Sequence, residues 1–76
     1  MQPVQAHDEG PADWLARVRV LERQGEYFRA FDLAAAGVAR WPADTRLKHR
    51  AVLALCNAGA TQLALARFMG WGLDRS

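Results

Sequence analysis

Cysteine is almost missing from this chain. Cys56 stands alone, which excludes an internal disulfide and any cysteine-rich zinc site, and nothing demands an oxidising compartment. Histidine occurs only as His7 and His49, with no second histidine or carboxylate at metal-ligand spacing, so no metal site is expected. Asparagine and serine are scarce while alanine is abundant, a balance that favours helix. Apolar runs stop far short of the ~18 residues that a membrane helix needs. The N-terminus lacks the basic and apolar regions of a signal peptide. A cytoplasmic location is expected. Charge of one sign is also lacking: the net charge is +2 with a pI near 9.3, too small an excess to imply nucleic-acid binding by itself. No paired carboxylates, glycine-rich phosphate loop or Ser/His/Asp set is present, so neither an enzyme nor a cofactor is expected.

What is there is a core in the making. Hydrophobic residues make up 51% of the 76 positions, enough to argue against wholesale disorder. A chain this short is one domain or a piece of one, and it is marginal without oligomerisation or another source of burial. Its organising stretch is GEYFRAFDLAAAGVARWPAD, from Gly25 to Asp44. Tyr27, Ala30, Phe31, Ala34 and Val38 recur at three- and four-residue spacing and make one apolar helical face. Gly25 closes the preceding helix, and Trp41-Pro42 ends this one because proline pushes the residue before it out of the α region.

The rest of the chain follows in order. Residues 1–10 have no period and form an expected flexible lead-in that includes His7. Pro11 and Asp13 open a first helix; it carries Trp14, Leu15, Val18 and Leu21 and runs to about Gln24. The second helix spans roughly Tyr27 to Arg40. Asp44 or Thr45 caps a third, with Leu47, Ala51, Ala54, Leu55 and Ala58 on one face and Gly59 at its end. A fourth begins near Thr61, carries Ala64, Leu65 and Phe68, and dissolves at Gly70 and Gly72. Short turns imply antiparallel neighbours. The expected fold is all-α, with four antiparallel helices.

The two halves match each other. Gly25 and Gly59 lie 34 residues apart, and at that offset Val18 meets Val52, Leu21 meets Leu55 and Ala30 meets Ala64. A period of about 34 residues in helix-turn-helix units is the signature of the tetratricopeptide repeat. The chain resembles that family over units 11–44 and 45–76, with Trp14, Gly25, Tyr27, Ala30 and Pro42 on the pattern in the first unit. Val52, Leu55, Gly59, Ala64 and Phe68 are on it in the second. Departures from the pattern are Arg17, Gly37, Lys48 and Trp71, and no proline closes the second unit. The segment RLKHRAVLALCNAGATQLALARF also resembles tetratricopeptide modules of bacterial multidomain signalling proteins.

The resemblance implies an α-solenoid fragment that binds protein or peptide partners on the concave face made by the first helix of each unit. By position that face holds Ala12, Leu15, Arg19, Glu22 and Arg23, then Arg46, His49, Leu53, Cys56 and Asn57. Helical spacing independently puts Arg46, His49, Arg50, Leu53 and Asn57 in one stripe. Cations at the start of the third helix oppose its macrodipole by ~0.3–1 kcal/mol each. Such a local cost can mark an anion site built from arginines and free amides, so an acidic peptide is one expectation; a solvated charged face answered by acids across the groove is the other. Some family members clamp a peptide carboxylate with bases at the positions of Arg46 and Arg50, but the asparagine they also use is Ala16 here.

Cys56 is expected to be a buried structural thiol. Trp14 should pack in the core, whereas Trp41 and Trp71 at helix ends should stay half exposed. Stacks of this kind usually need at least ~3 units, so Phe68, Met69 and Trp71 form a candidate self-association surface, to be covered by a second copy in a homodimer or by downstream sequence if the chain is a fragment. A rival reading comes from Thr61, Gln62, Leu65, Ala66, Met69 and Gly70, whose spacing resembles the opening of a helix-turn-helix DNA-binding regulator.

Overall fold

A computed structural model describes residues 10–75; the expected lead-in, with His7, lies outside the described residues except for Gly10. Four α-helices follow one another: α1 (Pro11–Arg23), α2 (Tyr27–Arg40), α3 (Thr45–Asn57) and α4 (Thr61–Gly70), closed by a short 3-10 turn at Leu73–Arg75. α1 packs on α2, α2 on α3, α3 on α4, and α1 also reaches α3. The chain is all-helical and helical-repeat-like among the described residues.

The helix boundaries have local causes. Pro11 sits in the first turn of α1 with Asp13 beside it, where the proline loses no intrahelical bond and the carboxylate meets the positive end of the dipole. At the end of α1, Gly25 N–H donates to the Glu22 carbonyl at 3.0 Å and Glu26 N–H to the Leu21 carbonyl at 2.9 Å. Gly25 takes a φ of 77° to do this; this is the Schellman arrangement, which a left-handed residue makes possible. The same pair of bonds recurs after α3, from Gly59 to Cys56 and from Ala60 to Leu55, with Gly59 at φ 83°. The two halves therefore repeat in their hydrogen bonds as well as in their residues. α2 stops at Arg40, ahead of Trp41-Pro42. α3 starts on Asp44, whose carboxylate accepts from the backbone N–H groups of Arg46 and Leu47, two donors that no helical carbonyl can reach.

The core is built largely of small residues. Val18, Ala30, Ala34, Ala51 and Ala54 are fully buried together, so α1, α2 and α3 approach closely. Trp14, Leu21, Phe31, Leu33 and Trp71 pack around that centre. Trp14 meets Trp41 edge-on at 5.5 Å and its indole N–H donates to the Leu33 carbonyl, so the half-buried ring keeps its polar atom satisfied. Arg17 and Arg40 lie over the Trp14 ring at 5.0 and 5.2 Å, a favourable cation–π geometry.

Three departures from the repeat pattern belong together. A Cβ on Gly37 would stand 2.7 Å from Trp14 Cδ1 and 3.0 Å from Leu47 Cδ1; Gly37 is glycine because Trp14 occupies that space. In the second unit the sizes are exchanged. Lys48 stands at the position of Trp14 and Trp71 at that of Gly37, and Trp71 packs back against the shared core.

Two expectations are corrected. Cys56 is exposed rather than buried, because it falls on a flank of α3 that no helix among the described residues covers. Leu65, expected on the inward face of α4, is 58% exposed, since Ala64 and Phe68 carry the contact with α3.

Candidate functional site

The stripes expected on α1 and α3 form one groove. Leu15 and Arg19 of α1 face Thr45, Arg46, His49 and Arg50 of α3 across a depression of about 400 Å³. Five of the eight expected partner-binding residues thus meet there, and Thr45 joins them. Arg23, Leu53 and Asn57 are exposed but lie outside this depression, farther along the same helices.

The charges in the groove are not equivalent. Arg46 turns back on its own cap: its Nη2 lies 2.9 Å from Asp44 Oδ2 and its Nε 3.3 Å from Oδ1. The Arg46 guanidinium, with help from the cap N–H groups, holds the Asp44 carboxyl below the usual carboxylate range against the opposing effect of burial. The cost of a cation at the start of α3 is therefore offset locally by the cap carboxylate. Arg50 reaches across to α1, its Nε 3.3 Å from Glu22 Oε1, with side chains 30% and 14% exposed respectively. The alignment is not that of a hydrogen bond, so the contact is an ion pair that ties α3 to α1. Neither pairing was visible in helical spacing, one because Asp44 serves as cap and salt partner at once, the other because it spans two helices. Arg19 and His49 have no carboxylate partner among the described residues.

The expected self-association residues divide between two surfaces. Phe68 lines a cleft of about 230 Å³ with Val52, Cys56, Thr61, Ala64 and Leu65, and Met69, 56% exposed, continues the Leu65 flank of α4. Trp71 lies on the opposite flank with Leu63, Ala66, Arg67 and Gly70. Arg67 stands 5.7 Å from both the Trp71 and the Phe31 rings, joining α4 to α2. Where the rival reading places a recognition helix after Gly70, the described residues form the 3-10 turn of Leu73–Arg75 with Leu73 buried.

Among the described residues no three His, Cys, Asp or Glu side chains gather into a metal-binding group, and no helix is long and apolar enough to cross a membrane. Set against protein-family models, curated proteins and solved structures, the chain matches none of them.

Proposed function

We propose that the chain is a tetratricopeptide-type interaction module, without catalytic chemistry, that binds an acidic peptide segment of a partner protein along the α1–α3 groove. One observation carries this reading. The groove converges residues from the first helix of both units and, among the described residues, leaves Arg19 and His49 without a carboxylate partner, while Asp44 and Glu22 engage the other two cations. A shallow trough with an apolar wall at Leu15 and unpaired donors beside it suits an extended chain bearing carboxylates. A single exposed thiol fits a reducing compartment such as the cytoplasm.

The geometry also selects the test. Replacing Arg50 or Arg46 would disturb an ion pair or a helix cap as well as the groove, so Arg19→Glu is the informative variant. Fluorescence anisotropy with labelled glutamate-rich and lysine-rich dodecapeptides should show preference for the acidic one, lost by at least about tenfold in Arg19→Glu and weakened by salt. Equal affinity of the variant for the acidic peptide sinks the reading, and salt-dependent binding of a control DNA duplex in place of peptide would replace it with the nucleic-acid alternative.

A further inference from the structure

The internal repeat provides a template for a second surface. Shifted back by 34 residues, Val52, Ala64, Leu65 and Phe68 become Val18, Ala30, Phe31 and Ala34. In the first unit three of these, Val18, Ala30 and Ala34, are 0% exposed in one cluster with Ala51 and Ala54 of α3, and Arg67 of α4 lies over the Phe31 ring. In the second unit Ala64 is likewise buried, at 2%, but among the described residues no helix lies beyond it: Val52 and Phe68 are half-buried, and Leu65 and the neighbouring Met69 are 58% and 56% exposed. A helix already sits on this surface once within the molecule. What it presents is known: Leu47, Ala51 and Ala54 at i, i+4 and i+7, all fully buried, and Arg50 at i+3, paired with Glu22.

The open face differs from its template in two ways that define the occupant. Phe68 and Met69 replace Ala34 and Ala35, so the seat is bulkier and the facing side chains must be small. Cys56 replaces Glu22, so a base at i+3 would lose its counter-charge and be desolvated against an apolar wall. A second copy fits poorly in either orientation. Head to tail, α1 would offer Asp13 and Arg17 where α3 offers Leu47 and Ala51; tail to tail, Phe68 and Met69 would meet themselves, bulk against bulk.

We propose that the face of Val52, Cys56, Leu65, Phe68 and Met69 is a docking site for an amphipathic helix of a partner protein. That helix carries apolar residues at i, i+4 and i+7, small at the last two, and an uncharged residue at i+3. This surface is separate from the α1–α3 groove, and its occupation does not depend on the peptide reading given for that groove.

The probe is a labelled synthetic peptide of the α3 sequence, DTRLKHRAVLALCNA, with Cys56→Ser in the peptide, compared with the same peptide carrying Arg50→Ala. Fluorescence anisotropy against the full chain should show the Arg50→Ala peptide binding at least about fivefold tighter, since a buried unpaired charge is removed. Leu65→Glu with Met69→Glu in the protein, both exposed and so compatible with folding by circular dichroism, should weaken it by about tenfold or more. Arg19→Glu should leave it unchanged, which separates this face from the groove. Binding of neither peptide, or equal binding by the double-glutamate variant, overturns the proposal. So does a dimer by light scattering that the double-glutamate variant converts to monomer and the peptide cannot compete with; that result would assign the face to a second copy.

Discussion

Replacing Gly37 by alanine sets two effects against each other. A mid-helix glycine costs about 0.8–1 kcal/mol relative to alanine. The added methyl, however, would stand 2.7 Å from Trp14 Cδ1 and 2.8 Å from its Nε1, a clash with a ring fixed by its bond to Leu33. Overpacking of this kind costs about 1–3 kcal/mol, so Gly37→Ala should destabilise on balance in urea unfolding. In a Trp14→Leu background the same substitution should become neutral or stabilising. Asp44 gives a second residue-scale expectation. Its carboxyl is held below the usual range in the folded state, chiefly by Arg46. The stability it contributes is therefore present above the unfolded value of about 3.9 and is lost as pH falls through the lower folded value. Melting temperatures measured from pH 6 to pH 2 should fall more steeply for the native chain than for Asp44→Ser, which keeps a capping oxygen but does not titrate. At neutral pH, Asp44→Ala should cost about 1 kcal/mol.

Between elements, the Glu22–Arg50 pair is the one ionic tie from α1 to α3 among the described residues. Removing one partner strands the other in a site where Glu22 is 14% exposed. Glu22→Ala or Arg50→Ala alone should cost about 1–3 kcal/mol, while the double variant should cost less than the sum, a coupling that a double-mutant cycle in urea reads directly. The elements were legible in the sequence because their punctuation is covalent: Gly25, Pro42 and Gly59 act within a few residues of themselves. The inward faces of α1, α2 and α3 were legible for the same reason that helical periods are, since Val18, Ala34 and Ala51 fall on them. α4 was less so. Leu65 has the period of a core residue, and it stays outside because no helix among the described residues covers it. For the groove, helical spacing put Arg46, His49 and Arg50 in one stripe and the family resemblance supplied Leu15 and Arg19; neither specified which acids pair with which bases, because a cap that doubles as a salt partner and a contact between two helices leave no periodic trace. One signal lay unused. The exchange of Trp14 with Lys48 and of Gly37 with Trp71 is readable by offset alone, and it accounts for three of the departures from the repeat pattern.

The described residues form a thin slab of 46 × 28 × 14 Å with a Cα radius of gyration of 12.9 Å. Its burial is graded along the stack. α2 lies between α1 and α3, whereas α4 rests on α3 with Arg67 and Trp71 as its further ties. Only Ala64 of α4 is buried, against four residues in each of α2 and α3. Local opening should follow that gradient. Amide hydrogen exchange should show α2 and α3 as the most protected segments, with α4 exchanging through a smaller opening that leaves the first three helices intact. A helix docked on Leu65 and Met69 should slow α4 toward the rate of α3; uniform protection across all four helices would contradict the gradient.

The size exchange also labels the two units optically. Trp14 and Trp41 belong to the first unit and touch each other, while Trp71 alone belongs to the second. Variants that keep one or the other set turn indole emission into a separate clock for each unit, so the order in which the stack comes apart can be timed without any added dye.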